Sequence, residues 1–384
     1  MLDKREEDLL KQQVLDIMNE EQQEQEKSHR PKQPKKKKKH TGLKIVGILF
    51  AILLVLVGFV IGTKPGRSMI YKAASSFVFS NVSKEDPHKG DSDKAEQTED
   101  TKTNTSVREE KYITNYLIFG IEEFGGARNT DTMMIATIDT KKDTIKLTSL
   151  LRDSYVEIPG YKANKLNSAY AKGGAKLLME TIELNYRIKL DGYISVDFQS
   201  FEDIVDLLGG VDIELGEKEA KYLNTTNYIS KKSNRNVKAG MNHLNGNQVM
   251  GYCRVRKVET LGGISSDYGR VVRQQRALKA IFDSYKSQSI FKLLPIAKEC
   301  LGYVNTNLSQ KQIEEAMAAV VENKIRTLET FRVPVDGAFD SPKKYNGIGY
   351  PLVLEWDKNR TELFQFIFND SESEAQDELE KLER

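Results

Sequence analysis

This 384-residue chain is poor in the residues that build several familiar sites. It has two cysteines and four histidines, and the histidines are not closely paired, which argues against a histidine-based zinc site. It contains no G-x-S-x-G segment and no P-loop, so neither a hydrolase nucleophile elbow nor a nucleotide-binding loop is supported. Cys253 and Cys300 are far apart in sequence, and this spacing does not establish a disulfide.

Charge of one sign does not dominate either, since 58 Lys and Arg residues stand against 56 Asp and Glu residues, for a net charge of +2. Positive charge is concentrated in residues 1–42, which include five consecutive lysines at 35–39. This composition is typical of a disordered, basic cytoplasmic tail. The tail shows no DNA-binding motif, so we expect no nucleic-acid partner.

One apolar run determines the expected topology. Residues 45–62, IVGILFAILLVLVGFVIG, carry no charge and are long enough to cross a bilayer as a helix. The lysines before the run place the N-terminus in the cytoplasm and everything after Lys64 outside. A cleaved signal peptide is disfavoured, because a hydrophilic segment of 42 residues precedes the run and no A-x-A site follows it. We therefore predict one uncleaved transmembrane helix at 43–63, in the cell membrane.

The remainder of the chain divides into three parts by composition. We predict an extracellular juxtamembrane segment and linker at 64–110, a globular domain at 111–370 and a charged tail at 371–384. In the globular part, strand-like runs alternate with helical patterns, which predicts an α/β domain with a largely buried sheet. The predicted strands are 115–121, 133–139, 144–151 and 192–197, and the predicted helices are 168–184, 198–208 and 267–286.

Positively charged side chains follow several apolar elements of this domain. Arg254 and Arg256 alternate in YCRVRK, which as a strand would place both on one face. Arg270, Arg273 and Gln274 have the spacing that shares one helical face. A cluster of arginines suits phosphate or pyrophosphate, because each guanidinium can donate two parallel hydrogen bonds. The same positively charged set includes Arg152 and Lys165.

Two carboxylates bracket a glycine-rich segment. Glu122 follows the first predicted strand, and Asp131 opens the second. A carboxylate at each end of such a loop suits Mg²⁺, which commonly takes one or two carboxylates together with phosphate oxygens and water. The alternative is that Asp131 forms an Asx-turn and Glu122 is solvated.

The order of motifs resembles the LytR–CpsA–Psr family of Gram-positive cell-wall proteins. No single motif is decisive, but six of them occur in the order of the family over roughly residues 112–370. They are RNTDTMM (128–134), SLLRDSYVEI (149–158), KLNSAYAKGG (165–174), DGYISVDFQSFEDIVDLLGGVDIEL (191–215), LNGNQVMGYCRVRK (244–257) and DYGRVVRQQ (267–275).

Members of that family are phosphotransferases that move a glycopolymer phosphate from a polyprenyl-pyrophosphate carrier onto a peptidoglycan sugar hydroxyl. The resemblance implies a three-layer α/β/α sandwich with a mixed central sheet and an apolar pocket for the polyprenyl tail. It implies that Mg²⁺ is held by Glu122 and Asp131 and that Asp131 and Arg152 are catalytic. It also implies a pyrophosphate site formed by Arg152, Lys165, Arg254, Arg256, Arg270 and Gln274.

The chain departs from the family pattern at three places. Glu122 stands where the family usually has aspartate, and Asn129 stands where it often has arginine. Leu150 and Leu151 replace the usual Ile-Pro. Two other functions stay open at this point: a non-catalytic, precursor-binding regulator of envelope synthesis, and a polyprenyl-pyrophosphate hydrolase that passes the phosphate to water.

Overall fold

The computed structural model describes residues 72–73, 75–77, 79–80, 105–124, 127–287, 304–323, 325 and 327–384. The predicted cytoplasmic tail, the predicted transmembrane helix, most of the linker and Cys300 lie outside these residues. Within the described ranges, no helix is both long enough and apolar enough to cross a membrane.

The described residues from 105 onward form fourteen strands, eight α-helices and one 3₁₀ helix, Lys232–Asn234. The strands are β1 (Ile113–Phe124), β2 (Ala127–Asp139), β3 (Thr144–Leu150), β4 (Tyr155–Ile158), β5 (Tyr161–Lys165), β6 (Gly192–Val196), β7 (Val211–Leu215), β8 (Gly240–Leu244), β9 (Val304–Thr306), β10 (Thr327–Val333), β11 (Phe339–Asp340), β12 (Lys344–Tyr345), β13 (Ile348–Gly349) and β14 (Val353–Leu354). The helices are α1 (Asn167–Tyr186), α2 (Phe198–Leu207), α3 (Glu217–Thr225), α4 (Gly246–Arg254), α5 (Ser266–Ser287), α6 (Gln310–Glu322), α7 (Trp356–Phe368) and α8 (Glu372–Glu383).

The central sheet has six strands in the order β10-β3-β2-β1-β6-β9. The pairs β1–β2, β2–β3 and β6–β9 are antiparallel, whereas β1–β6 and β10–β3 are parallel. The four predicted strands correspond to β1, β2, β3 and β6, and the three predicted helices to α1, α2 and α5. The predicted α/β class and the mixed central sheet are therefore confirmed.

Apolar side chains pack on both faces of this sheet. Along β1, Tyr116 and Ile118 belong to one buried cluster, while Leu117 and Phe119 belong to a second, because successive side chains of a strand point to opposite faces. The first cluster includes buried residues of α2, α4, α5 and α6, and the second includes those of α1, α7 and α8. Helices thus cover the sheet on both sides.

Helix α2 shows how the local sequence sets these elements. The side chain of Asp197 accepts a hydrogen bond from the backbone N–H of Ser200 at 3.1 Å and caps the helix start. Phe201 and Ile204 are buried at helical spacing. Gly209 and Gly210 have φ angles of 86° and 94°, a conformation that ends the helix and that side chains with a Cβ rarely adopt.

Two expectations drawn from local pattern were wrong. The segment YCRVRK is not a strand, because Asn245 and Gln248 form a capping box that starts α4, and the helix runs through Arg254. Glu122 and Asp131 do not bracket an open glycine-rich loop. They lie within β1 and β2, which extend as a hairpin to Phe124 and Ala127.

The end of the chain packs on the domain. Residues 371–384, expected as a charged tail, include helix α8, whose Ala375 and Leu379 are buried in the second apolar cluster.

A buried ion pair between two strands of the central sheet also contacts the end of α7. The Lys146 Nζ lies 3.1 Å from Asp139 Oδ2 and donates hydrogen bonds to Ile367 O at 3.0 Å and Asn369 Oδ1 at 2.8 Å.

Candidate functional site

The predicted catalytic residues lie at one end of the central sheet. Leu150, the last residue of β3, pairs with Met133 on β2 and with Val333 on β10. Asp131 lies two residues before Met133, and Arg152 lies two residues after Leu150. Because β2 and β3 are antiparallel, this register brings Asp131 and Arg152 to the same end of the sheet.

Asp131 occupies an irregular position in the β1–β2 ladder. Gly120 pairs with Thr132, and the next residue, Ile121, pairs with Thr130, so Asp131 is the extra residue of a β-bulge. A bulge locally disrupts the ladder and can redirect a side chain, and such bulges are frequent beside active sites. The bulge therefore explains how a residue inside a strand presents its carboxylate to groups beyond the sheet.

Two guanidinium groups face the carboxylate of Asp131. Arg152 donates a hydrogen bond from Nη1 to Asp131 Oδ1, and Arg256 Nη2 lies 3.7 Å from Oδ2. The Asp131 side chain is only 9% exposed. Burial disfavours the charge of Arg152, but Asp131 and Asp153 outweigh it, so the pKa of Arg152 is raised above its usual value. Arg152 therefore stays protonated.

Further charges extend this arrangement on both sides. Arg152 Nε lies 3.4 Å from Asp153 Oδ2, and Lys165 Nζ lies 2.7 Å from Asp153 Oδ1. On the other side, Asp267 Oδ1 lies 3.4 Å from Arg256 Nε and 3.0 Å from Arg270 Nη2. The result is a charged row of alternating sign, formed by Lys165, Asp153, Arg152, Asp131, Arg256, Asp267 and Arg270.

Several buried donor groups at the site make no hydrogen bond within the described part of the chain. The Nε–H groups of Arg256 and Arg270 and the hydroxyl of Tyr268 are buried without a hydrogen-bond partner in the described part of the chain. A buried donor without a partner costs about 1–3 kcal/mol, and more when it is charged. Phosphate oxygens would satisfy such donors, so the chemistry of the row fits a polyanionic ligand.

Helix α5 is fastened to the sheet beside the row. Gln274 donates from Nε2 to Thr132 Oγ1 at 3.1 Å, next to the bulge. Gln275 donates from Nε2 to Ser149 Oγ at 3.2 Å and to Phe331 O at 3.1 Å. These bonds fix the position of Arg270, one turn earlier in the helix, relative to Asp131.

Five of the predicted site residues lie in the charged row: Asp131, Arg152, Lys165, Arg256 and Arg270. Gln274 contacts Thr132 of β2, beside the row. Arg254, the last residue of α4, has its guanidinium carbon 5.5 Å from the centre of the Tyr228 ring, a cation–π contact. Glu122 pairs with Asn129 in the hairpin, and its side chain lies outside the described part of the structure. Its predicted role as a metal ligand stays a prediction.

Sequence reasoning missed two acidic residues of this region and misplaced one arginine. Asp153 and Asp267 link the cations of the row, whereas Arg273, expected on the same helical face as Arg270, forms a buried ion pair behind the row. Asp267 precedes Arg270 by three positions, a spacing that brings side chains together on a helix. The Asp267–Arg270 pair could therefore have been predicted from the sequence. The partners of Arg273 come from distant parts of the chain, and nothing local pointed to them.

The fold is that of an α/β protein, and a row of arginines and carboxylates lies at one end of its mixed central sheet. The chain belongs to the LytR_cpsA_psr family, whose sequence model matches residues 75–362. The regulatory protein MsrR of Staphylococcus aureus is 30% identical over 256 residues, which cover 66% of this chain and 74% of MsrR.

Two further comparisons concern proteins of Bacillus. TagU of Bacillus mycoides, named a polyisoprenyl-teichoic acid–peptidoglycan teichoic acid transferase, is 32% identical over 244 residues, covering 62% of this chain and 72% of TagU. The crystal structure of Bacillus subtilis TagV superposes with a TM-score of 0.50 at 27% identity, covering 68% of this chain and 99% of TagV.

The arginines can be tested by binding of a polyprenyl pyrophosphate. We expect Arg152→Ala and Arg254→Ala each to weaken binding by roughly 10- to 150-fold, because a charge-assisted hydrogen bond contributes about 1.5–3 kcal/mol. Arg235→Ala is the matched control, since Arg235 donates from Nε to Ile229 O at 2.8 Å in the loop between α3 and β8. Equal, small effects in all three variants would show that the arginines do not form a common site.

Proposed function

We propose that this protein is a membrane-anchored phosphotransferase that moves a glycopolymer phosphate from a polyprenyl-pyrophosphate carrier onto a sugar hydroxyl of peptidoglycan. The observation that carries the proposal is the charged row, in which Arg256 and Arg270 each keep a buried Nε–H that makes no hydrogen bond among the described residues. The similarity to TagU, a polyisoprenyl-teichoic acid–peptidoglycan teichoic acid transferase, supports the same class of donor and acceptor.

In the proposed reaction, the oxygen of the acceptor hydroxyl attacks the phosphorus on the polymer side of the pyrophosphate. The bond from that phosphorus to the bridging oxygen breaks, and polyprenyl phosphate leaves with the negative charge. Arg152, Arg256 and Arg270 would stabilise the phosphate oxygens as this charge develops, the usual means by which proteins accelerate phosphoryl transfer. The proton of the hydroxyl passes to a base, for which Asp131 is the candidate.

Magnesium is the metal that we propose for this site, held by Asp131 and Glu122. The carboxylate of Asp131 is acceptor-only and has lone pairs beyond those that face Arg152 and Arg256. No group of three or more His, Cys, Asp or Glu side chains converges within the described ranges, so phosphate oxygens and water would supply the other ligands. When bound, the ion would neutralise charge on the pyrophosphate.

A second candidate function follows from the name of one relative. MsrR is called a regulatory protein, which favours a non-catalytic module that binds lipid-linked precursors. Such a module would use the same charged row for binding but would form no product. A pyrophosphate hydrolase would form polyprenyl phosphate without any acceptor.

One assay separates these functions. The purified full-length chain in detergent is incubated with a polyprenyl-pyrophosphate glycan, peptidoglycan and Mg²⁺, and covalent conjugate and released polyprenyl phosphate are both measured. We expect conjugate that depends on peptidoglycan. Release without peptidoglycan at the same rate would indicate a hydrolase, and binding without either product would indicate the regulator.

The proposed topology leads to a prediction of its own. We propose that the folded domain lies outside the cell, a topology that the run at 45–62 and the lysines before it support. Protease added to intact protoplasts should therefore remove the domain while cytoplasmic proteins stay whole. Protection of the domain until the protoplasts are lysed would contradict the topology and, with it, access to peptidoglycan.

A further inference from the structure

Arg273 is a fully buried arginine behind the charged row. Its side chain is 0% exposed and donates three hydrogen bonds: from Nε to Glu219 Oε1 at 2.7 Å, from Nη1 to Val255 O at 2.9 Å and from Nη2 to Val258 O at 2.8 Å. All three nitrogens of the guanidinium are thereby used inside the protein. Arg273 itself offers little to a ligand, in contrast to Arg256 and Arg270.

Glu219 is also fully buried and fixes the other side of this pair. Its second oxygen, Oε2, accepts the backbone N–H of Gly216, the N-cap residue of α3, at 2.8 Å. The guanidinium of Arg273 is therefore anchored to the start of one helix while it holds two carbonyls of a loop. The planar donor fork of arginine suits this arrangement, and a single ammonium would not reproduce it.

The two carbonyls bracket Arg256. Val255 immediately precedes Arg256, and Val258 follows two residues later. The carbonyl of Arg256 accepts the N–H of Ser266 at 3.0 Å, which closes the loop 256–266 onto the start of α5. Gly269 permits this closeness, because a Cβ there would lie 2.7 Å from Ile264 O.

The side chain of Arg256 is held only loosely by its own contacts. Its distances to Asp131 and Asp267 are 3.7 Å and 3.4 Å, and its Nε–H has no hydrogen-bond partner among the described residues. Because these contacts are long, the reach of this guanidinium toward the site depends on where its backbone lies. The backbone in turn is held on both sides of Arg256 by Arg273.

We infer that Arg273 and Glu219 form a positioning pair that fixes Arg256 for binding of the pyrophosphate. This inference rests on the anion site of the proposed function. A buried ion pair is weak evidence for stability, because desolvation offsets much of the attraction, and apolar residues of similar volume can replace such a pair at little cost. Both Nη groups of Arg273 donate to carbonyls that flank Arg256, and this geometry assigns the pair to the site.

The test uses the full-length chain in detergent and inorganic pyrophosphate as the probe. Glu219→Gln with Arg273→Met removes both charges and both loop contacts at similar volume, and Gln can still accept the Gly216 N–H. Arg256→Gln removes the guanidinium that the pair positions. Affinities are measured for the wild type, the Glu219→Gln/Arg273→Met variant, the Arg256→Gln variant and the combination of all three substitutions, in a double-mutant cycle.

We expect the paired substitution to weaken pyrophosphate binding about 10-fold or more in the wild-type background and hardly at all in the Arg256→Gln background. An equal loss in both backgrounds would show a general structural effect and overturn the inference, as would no loss in either. If the paired variant does not fold, Arg273→Lys, which keeps the charge but cannot hold both carbonyls, takes its place in the same cycle.

Hydrogen exchange separates this inference from the proposed function. In the paired variant, backbone amides of residues 255–266 should exchange faster, while those of β1 to β3 stay protected. Unchanged exchange at 255–266 would overturn the inference whatever the binding data show. A wild-type chain that does not bind pyrophosphate would instead refute the proposed function, and the exchange result would then show only whether Arg273 orders the loop 255–266.

Discussion

Replacing Asp131 with alanine should abolish polymer transfer while leaving the fold intact. The carboxylate contacts both Arg152 and Arg256 and is the proposed ligand of Mg²⁺. Magnesium requires near-octahedral geometry at about 2.0–2.1 Å, so neighbouring side chains replace a missing carboxylate poorly. Loss of a group that stabilises the transition state typically slows a reaction by about 100-fold or more. The rate of conjugate formation at saturating Mg²⁺ is the measurement.

Two matched variants separate the roles of this carboxylate. Asp131→Asn keeps an oxygen that can accept the hydrogen bond of Arg152 but loses the charge, so transfer at the wild-type rate would argue against a metal ligand at this position. Glu122→Asp tests the departure from the family pattern, and we expect partial activity with a raised Mg²⁺ requirement. If Glu122→Ala transfers polymer at the wild-type rate and Mg²⁺ concentration, Glu122 is not a ligand.

Replacing Asp139 with alanine should give the largest loss of stability. Asp139 and Lys146 are 0% and 1% exposed, and removing one partner of a buried ion pair costs about 3–5 kcal/mol because the other charge is left buried without compensation. Denaturant unfolding of the folded domain measures the change. Asp139→Ala combined with Lys146→Met removes both charges and should recover part of the loss. Equal stability of the wild type and the single variant would contradict this account.

The same pair gives a pH dependence of defined sign. Burial raises the pKa of Asp139, but hydrogen bonds from Asn369, Lys146 and the Lys142 backbone outweigh it, so the pKa is lowered overall. A lowered pKa in the folded state contributes stability above the unfolded pKa of about 3.9, and this stability is lost as pH falls through the folded value. The wild type should therefore lose stability below about pH 4 more steeply than the Asp139→Ala variant.

Elements with strong apolar periodicity could be predicted from the sequence. Strand β3 has seven consecutive buried residues, and α2 has its buried side chains at helical spacing. Each element can therefore be recognised from its own residues alone. The charged candidates could be named individually for a similar reason, because Arg152 follows β3 and Arg270 lies within α5. The family resemblance then identified which of the many charged residues belong together.

The parts that could not be predicted depend on contacts between distant segments. The helical state of Tyr252 to Arg254 is an exception, because it follows from α4, which starts at the local capping box of Asn245 and Gln248. The bulge at Asp131 is defined only by the pairing of β1 with β2. The burial of Arg273 requires Glu219, 54 positions away, and charged residues are almost never fully buried without such a partner.

The alternating signs of the charged row have a consequence for selectivity. An incoming anion must compete with Asp131, Asp153 and Asp267, which already face the same guanidinium and ammonium groups. Chloride carries one charge and lacks the geometry of two parallel acceptors, so it gains little by displacing a carboxylate. A pyrophosphate presents several oxygens at once and can exchange with more than one carboxylate in a single binding event. In the proposed site, the three carboxylates would therefore favour a polyvalent anion over the small monovalent ions of the medium.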